Sequence, residues 1–349
     1  MKIIEKKEIK GIIRIIAFCL VAVIMLEVLS QAVFKRGDAA TYNNKYSNAY
    51  AYLLEPENTL QVACFGNSDL YSAIVPNTVW ETSGIASTMV ASPLQSIRQT
   101  NYMLEELLKV QSPTVVVIET DMLYEHSPDR NRNYEKERNS QSNIDIIIDK
   151  ADTAVLDDFV KSKFSIFVFH DKWKALFKSK KSAERDKYSH GYHVSVKVFP
   201  FERADYMVPS EYEDAIKATQ EAGLKEVISL CKKNGIEVLL MELPSESSWS
   251  YERHNCMTRL AEENDVKFID FNLLLDEIEI DENTDFRDRG NHMNYYGAKK
   301  VSAYFAKYLA EKYNLEDKRG DEAYAFWDES CVEFEKIVAK EEEEQKNKA

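Results

Sequence analysis

The first 58 residues divide into three stretches according to their apolar and polar positions. Residues 12–34 are apolar on nearly all sides of a helix, and about 20 such residues are enough to cross a bilayer. The basic residues 1–11 and the polar residues 35–58 flank this run, which predicts a tail, a transmembrane anchor and a stalk. Positive charge is denser before the run than after it, so the pattern predicts a cytoplasmic amino terminus and an extracytoplasmic remainder. A cleaved signal peptide is the alternative, because Ser30 and Ala32 are small enough to precede a cleavage site.

Beyond the predicted stalk, short apolar runs alternate with stretches of helical spacing. The runs are rich in β-branched residues, as expected of strands buried on both faces, and they cover residues 59–67, 113–120, 236–244 and 266–272. Helical spacing covers residues 94–109, 211–234, 249–264 and 298–313. This alternation predicts a three-layer α/β/α domain with a parallel sheet over residues 59–315.

Two parts of the chain depart from this alternation. Residues 122–210 are charged and helix-leaning with aromatic clusters, and they follow a predicted strand end, which predicts an insertion that forms a lid or faces the substrate. Residues 316–349 are heavily charged but contain one apolar helical stripe, which predicts a helical tail with a solvated end. The stripe consists of Tyr324, Trp327, Cys331, Phe334 and Val338.

Composition excludes several classes of protein. The formal net charge of −14 argues against binding to nucleic acid through charge. The five cysteines are too few for a disulfide scaffold, and none of them has the spacing of a metal-binding pair. We therefore expect no metal or organic cofactor.

Two segments contain residues suited to nucleophilic chemistry. Ser68 lies in a Gly-Asn-Ser-Asp turn after the first predicted strand, where the carboxyl ends of parallel strands meet ligands. His292 lies near the carboxyl end of the domain and is able to take the Ser68 proton if a carboxylate holds its ring. Asp288 precedes His292 by four residues, a separation that allows contact across one helical turn. Each segment alone also fits a structural turn or a loop before a helix.

Together these segments resemble the SGNH (GDSL-type) hydrolase superfamily. The resemblance rests on GNSDLYSAIVP at 66–76, ETD at 119–121 and DRGNHMNYYGAKKV at 288–301. It is strongest for the membrane-anchored branch of Gram-positive cell envelopes, to which the D-alanyl transfer protein of teichoic acid modification is related. The resemblance implies a flavodoxin-like SGNH fold, with Ser68 as nucleophile and His292 as general base. It implies Asp288 as the orienting acid, with Asp285 in reserve, although the family has its acid three positions before the histidine, where this chain has Arg289.

The residues of the family's oxyanion hole are only partly matched. The resemblance implies a backbone N–H from the serine, one from a glycine in a second loop and an asparagine side chain from a third. The second loop here has no glycine, which leaves the amide of Ala91 or Ser92 as the candidate. Asp121 occupies the third position, where an ionised carboxylate only accepts hydrogen bonds. Asn294 is the remaining candidate for substrate contact.

The resemblance implies a membrane-anchored extracytoplasmic serine esterase or O-acyltransferase. Its expected substrate is an acyl group on an envelope polysaccharide or teichoic-acid-like polymer, and its expected partner is a membrane-bound O-acyltransferase. The alternative is a catalytically silent glycan-binding or scaffold component of an acyltransferase complex. Among other candidates, the insertion supplies residues for sugar contact or for packing: His170, Trp173, His190, Tyr192 and His193. His254 fits a solvated helix surface, and Glu119 and Glu242 are expected to face the cleft or an internal arginine.

Overall fold

The computed structural model describes residues 6–32, 47–124 and 187–347. Residues 125–186 of the predicted insertion, including His170 and Trp173, therefore lie outside the described residues. Helix α1, Lys6–Ala32, belongs to one compact unit, and the remaining described residues belong to another. The segment Lys10–Ser30 of α1 has a mean hydropathy of 2.7, so it is long and apolar enough to span a membrane.

The second unit is built on a five-stranded parallel sheet, which confirms the predicted α/β class. Its strands are β1 (Val62–Gly66), β2 (Ser87–Ala91), β3 (Val115–Glu119), β4 (Glu237–Glu242) and β5 (Lys267–Asp270). The order β2-β1-β3-β4-β5 is that of flavodoxin-like sheets. Strand β2 was not predicted, because Ser87 and Thr88 interrupt its apolar pattern although both are buried.

Helices cover both faces of the sheet. They are α2 (Leu70–Ala73), α3 (Pro76–Ser83), α4 (Ile97–Leu107), α5 (Ala218–Lys233), α6 (Tyr251–Asn264), α7 (Tyr295–Tyr313) and α8 (Phe326–Lys346). A short antiparallel pair, β6 (Phe286–Asp288) and β7 (His292–Met293), lies between α6 and α7 in the sequence. Phe65 and Ile118 pack with the apolar faces of α4, α5 and α6. Cys64 and Val117 point to the other face, where they pack with α2 and α7. The alternation of side chains along each strand thus produces two cores and three layers.

The ends of the helices follow local sequence. Ser96 caps α4 by accepting a hydrogen bond from the backbone N–H of Gln99, and the Gln99 side chain accepts one from the Ser96 N–H in return. Ser250 caps α6 by accepting a hydrogen bond from the backbone N–H of Arg253, without a reciprocal contact being part of the cap. Both helices therefore begin within a few residues of their predicted starts.

Two segments predicted to be outside the domain pack against it. Residues Ser47–Leu54 of the predicted stalk form a 3₁₀ helix, and Ala49 and Tyr52 are buried in the core. Helix α8 buries Trp327 and Phe334 of its predicted stripe. Apolar burial therefore joins both segments to the α/β unit.

Candidate active site

Ser68 lies in the turn between β1 and α2, at the carboxyl end of the sheet. Strand β1 connects to β2 on one side, whereas its other neighbour, β3, connects to β4 in the opposite direction, so a crevice opens at the carboxyl ends of β1 and β3. Gly66 allows the turn, because a Cβ at this position would lie 2.7 Å from Cβ of both Glu119 and Leu70. The Ser72 hydroxyl donates to the Ser68 carbonyl oxygen at 2.5 Å and fixes the first turn of α2.

His292 is held by the β6–β7 hairpin rather than by a helix. Asp288 pairs directly with His292 in the antiparallel register, so their four-residue separation is bridged across strands. Gly290 makes the connecting turn with φ of +81°, and a Cβ there would lie 2.7 Å from the Phe201 ring. The expectation of contact across a helical turn was wrong, because a tight hairpin brings the same two positions together.

Ser68, His292 and Asp288 form a continuous hydrogen-bonded chain. Nε2 of His292 lies 2.8 Å from Oγ of Ser68, and Nδ1 lies 2.7 Å from Oδ2 of Asp288. The His292 backbone N–H donates to Oδ1 of Asp288 at 2.6 Å, so both carboxylate oxygens are engaged. Burial would raise the pKa of Asp288, but the hydrogen bonds and charge of His292 outweigh it and hold that pKa below its usual value. Asp288 is therefore an anion at neutral pH.

The protonation of the ring decides whether His292 is able to act as a base. Nδ1 also lies 2.9 Å from the Asn291 side-chain nitrogen. The Asn291 amide, a donor, and the Asp288 carboxylate, an acceptor, therefore favour opposite protonation states of Nδ1 in the neutral ring. Only the tautomer with its proton on Nδ1 leaves Nε2 free to accept the Ser68 proton. The Asp288 carboxylate favours this tautomer because it only accepts hydrogen bonds.

Asp285, the alternative third member, does not contact His292. Its buried carboxylate accepts hydrogen bonds from the Lys300 ammonium at 2.7 Å and the Asp281 backbone N–H at 2.8 Å. These contacts fix the loop before β6. Asp288 is the acid beside the imidazole.

Two of the predicted oxyanion or substrate residues have other partners. The Ser92 hydroxyl is buried and donates to the Gln95 side chain at 3.0 Å. Asn294 is fully buried and caps α7, accepting from the backbone N–H groups of Tyr296 and Gly297. Its amide nitrogen donates to carbonyl oxygens, including that of Thr284 at 2.7 Å. The prediction of substrate contact for Asn294 was wrong, because these hydrogen bonds occupy its side chain.

Asp121 lies in a buried acidic cluster next to the turn that contains Ser68. Its Oδ2 accepts from the Asn67 amide at 2.9 Å, and its Oδ1 lies 3.5 Å from Nη1 of Arg253. Carboxylate oxygens of Asp69, Glu119 and Asp121 lie within 4.8 Å of one another, a spacing compatible with a bound cation. Burial raises the pKa of Glu119 well above its usual value, and the charges of Asp121 and Asp69 raise it further. Burial also raises the pKa of Asp121, an effect that Asn67 and Arg253 partly offset.

Several neighbours of Ser68 and His292 were not predicted. Oδ1 of Asp69 lies 3.5 Å from Nε2 of His292. Burial raises the pKa of Tyr71 and the charge of Asp69 raises it further, while the charge of Arg287 and hydrogen bonding with Ser68 and Arg287 lower it. The only sequence clue was the position of Tyr71 three residues after Ser68, about one helical turn.

The remaining sequence candidates are distributed between the site and the core. The His193 ring packs edge-on against Tyr71, with centroids 5.8 Å apart. His190 and Tyr192 are buried, and the His190 ring contacts Glu55 and, at 2.6 Å, the Ser330 hydroxyl. These two residues are packing residues.

His254, Glu119 and Glu242 also have defined partners. His254 is half-buried, with Nδ1 2.8 Å from Asp270, so the prediction of a solvated surface was wrong. Glu119 is fully buried and accepts from the backbone N–H groups of Asn67 and Asp121 at 3.1 and 2.8 Å. Glu242, also fully buried, accepts from the Thr120 hydroxyl at 2.6 Å.

Two solved structures from Bacteroides species are among those that this chain distantly resembles. A proposed acylhydrolase from Bacteroides fragilis matches 78% of this chain and 98% of its own, with 12% identity and a TM-score of 0.37. A GDSL-like lipase from Bacteroides thetaiotaomicron matches 72% of this chain and 87% of its own, with 13% identity and a TM-score of 0.33. No protein-family model matches the sequence, and neither does any curated protein. At these identities and TM-scores neither likeness contributes to the functional assignment, which follows from the geometry of the site.

Proposed function

We propose that this protein is a serine esterase or O-acyltransferase whose nucleophile is Ser68. The observation that carries the proposal is the Ser68–His292–Asp288 chain, with contacts of 2.8 and 2.7 Å at the carboxyl end of a parallel sheet. A serine needs a base within hydrogen-bonding distance, and that base needs an oriented ring.

In the first half of the reaction, Oγ of Ser68 attacks the acyl carbonyl carbon while its proton moves to Nε2 of His292. The carbonyl π electrons move to oxygen and form a tetrahedral oxyanion. When this intermediate collapses, the bond to the leaving oxygen breaks, and that oxygen takes the proton from Nε2. The products are an alcohol and an acyl-Ser68 ester. Asp288 stays ionised and stabilises the imidazolium.

In the second half, His292 removes a proton from water or from a second hydroxyl compound, whose oxygen attacks the acyl carbonyl carbon and forms a second tetrahedral oxyanion. When this intermediate collapses, the bond between the acyl carbon and Oγ of Ser68 breaks, and Oγ takes the proton back from Nε2. Water as acceptor makes the protein an esterase, whereas a sugar hydroxyl makes it an O-acyltransferase. Exclusion of water from the cleft decides between these acceptors.

The substrate that we propose is an acylated glycan or teichoic-acid-like polymer of the cell envelope. Helix α1 supports this assignment, because an anchor of its length and hydropathy would hold the site next to such a polymer. Positive charge is denser before the apolar run of α1 than after it, so we propose that the site is extracytoplasmic. A membrane-bound O-acyltransferase is the proposed partner, on the basis of the sequence resemblance.

Active-site labelling tests the proposal. We expect the full chain in detergent micelles to react with a fluorophosphonate probe and to hydrolyse p-nitrophenyl acetate. Both reactions should disappear in Ser68→Ala and fall steeply in His292→Ala, with melting temperatures close to that of the unmodified protein. Ser72→Ala is a matched control, since this neighbouring hydroxyl points to the Ser68 carbonyl oxygen. Folded protein that never labels at Ser68 would contradict the enzyme assignment.

A silent glycan-binding or scaffold protein is the second candidate. The observation that favours it is Asp121, a carboxylate in the position where the resembled family has an oxyanion-binding asparagine. Absence of Ser68 labelling together with glycan binding by the folded chain would support this second candidate.

A further inference from the structure

The tetrahedral intermediate of the proposed reaction needs hydrogen-bond donors around its oxyanion. The backbone N–H of Ser68 has no acceptor among residues 47–124 and 187–347, so it is available as one donor. Ionised Asp121 only accepts hydrogen bonds and is unable to provide a second donor. The loss of one such donor typically costs about 10²–10³ in rate.

Asn67 presents an amide at this place in a fixed orientation. Its Oδ1 accepts from the Asp69 backbone N–H at 2.9 Å, which directs Nδ2 away from that contact. One of the two Nδ2 hydrogens is donated to Oδ2 of Asp121 at 2.9 Å. No acceptor for the other hydrogen is found in the described part of the unit. Asn67 is 1% exposed, so the surrounding protein restricts its amide to this one orientation.

The Asn67 amide lies in the same group of atoms as the reacting pair. Its acceptor Asp121 has a carboxylate oxygen within 4.8 Å of one on Asp69. Oδ1 of Asp69 is in turn 3.5 Å from the ring nitrogen that receives the Ser68 proton. Asn67 also precedes the nucleophile directly in the chain, so its position is tied to that of Ser68.

Arg253 offsets part of the negative charge beside the Asn67 amide. Arg253 lies 3.5 Å from Oδ1 of Asp121 and stacks on Tyr124, with its guanidinium carbon 4.2 Å from the ring centroid. It also donates to the Asp214 carboxylate at 3.1 Å and to the Ser248 carbonyl oxygen. A guanidinium held in this way offsets the Asp121 charge while Asp121 orients Asn67.

We infer that the Asn67 side-chain amide is a catalytic residue, donating its second N–H to the oxyanion, and that Asp121 and Arg253 position it. This inference rests on the proposed serine chemistry. It assigns to the residue before the nucleophile the contact that the resemblance implies for position 121.

Kinetics of the full chain in detergent micelles, with p-nitrophenyl acetate as substrate, test the inference. We expect Asn67→Ala to lower kcat by about 10²–10³ while KM changes by less than about threefold, because the donor acts only on the oxyanion. We expect fluorophosphonate labelling of Ser68 to slow by a similar factor. The control Asn272→Ala removes another buried asparagine, whose amide donates to Asp270 at 2.9 Å at the end of β5. It should lower the melting temperature but leave kcat unchanged.

A reciprocal exchange guards against loss of fold. Asn67→Asp/Asp121→Asn keeps the amide–carboxylate hydrogen bond and transfers the donor to position 121. We expect its kcat to lie within about tenfold of the unmodified protein, since one amide donor remains. A folded Asn67→Ala with kcat within threefold of the unmodified protein would overturn the inference. If Asn67→Ala does not fold, the shape-conserving Asn67→Asp, which also lacks the N–H donor, replaces it, and a folded Asn67→Asp with kcat within threefold of the unmodified protein would overturn the inference instead. Failure of the unmodified chain to label at Ser68 would count against the proposed function itself.

Discussion

The contrast between Asp288 and Asp285 offers the sharpest test of the proposed triad. In Asp288→Asn, the carbonyl oxygen of the new amide is expected to remain opposite the His292 backbone N–H, which now donates to Oδ1 at 2.6 Å. The NH₂ group then occupies the place of Oδ2, 2.7 Å from Nδ1. An N–H donor at that distance selects the tautomer with its proton on Nε2, and this tautomer is unable to accept the Ser68 proton.

The size of the effect follows from the lost interactions. A hydrogen bond to a charged group contributes about 1.5–3 kcal/mol, and reversal of the tautomer adds about 1 kcal/mol for the new neutral hydrogen bond. The Asp288 side chain is 45% exposed, so solvent reduces the first contribution toward the lower end of its range. The sum of roughly 3 kcal/mol corresponds to a fall in kcat of about 10²-fold, and up to about 10³-fold at the upper end.

Asp285→Asn should have the opposite profile. It weakens the contact with Lys300 in a fully buried carboxylate, which we expect to lower the free energy of unfolding by about 1–3 kcal/mol without altering kcat. The assay is ester hydrolysis and thermal unfolding of both variants in the same detergent. A kcat loss confined to Asp285→Asn would refute the assignment of Asp288.

Three further predictions follow from particular contacts. Gly290→Ala should cost about 1–3 kcal/mol in stability and lower kcat, because the positive φ and the nearby aromatic ring oppose a Cβ. The control Gly320→Ala, where φ is +85° but the space is open, should leave kcat unchanged. Equal kcat losses in the two variants would contradict this prediction. Burial, with the charge of a neighbouring glutamate, raises the pKa of Glu242 well above 4.5, so its stabilising contribution is lost as pH rises from 4.5 toward that raised pKa. Over this pH range, the free energy of unfolding in urea should rise for Glu242→Gln relative to the unmodified protein by up to about 1.4 kcal/mol per pH unit. A difference that does not change with pH would contradict this prediction. Asn291→Ala removes an N–H beside Nδ1 of His292 and should leave kcat equal or raise it by about twofold to fivefold, whereas a tenfold loss would mean that Asn291 holds the ring.

The sequence pattern predicted most of the sheet, whereas the proposed triad came from a resemblance between motifs. Continuous apolar runs identified four strands because buried parallel strands need apolar residues on both faces. The same criterion missed β2, where Ser87 and Thr88 are buried with polar side chains. The pairing of Ser68 with His292 came from the resemblance rather than from periodicity.

Long-range pairing explains what the sequence left open. A separation of four residues is compatible with a helical turn or a hairpin, and only the register of β6 and β7 decides between them for Asp288. The hydrogen bond from Asn67 to Asp121 joins residues 54 positions apart at neighbouring strand ends, so no local pattern indicates it. Asn294 illustrates the reverse case, in which a polar residue near a candidate histidine proved to be a helix cap.

The 224 positions between Ser68 and His292 affect how activity arises during synthesis. At typical rates of about 5–20 residues per second, a ribosome needs about 10–45 s to pass from the hydroxyl to the imidazole. Throughout that interval the emerging serine has no proton acceptor and is as inert as any other alcohol side chain. If Ser68 depends on His292 as its base, it becomes reactive only after the β6–β7 hairpin has closed.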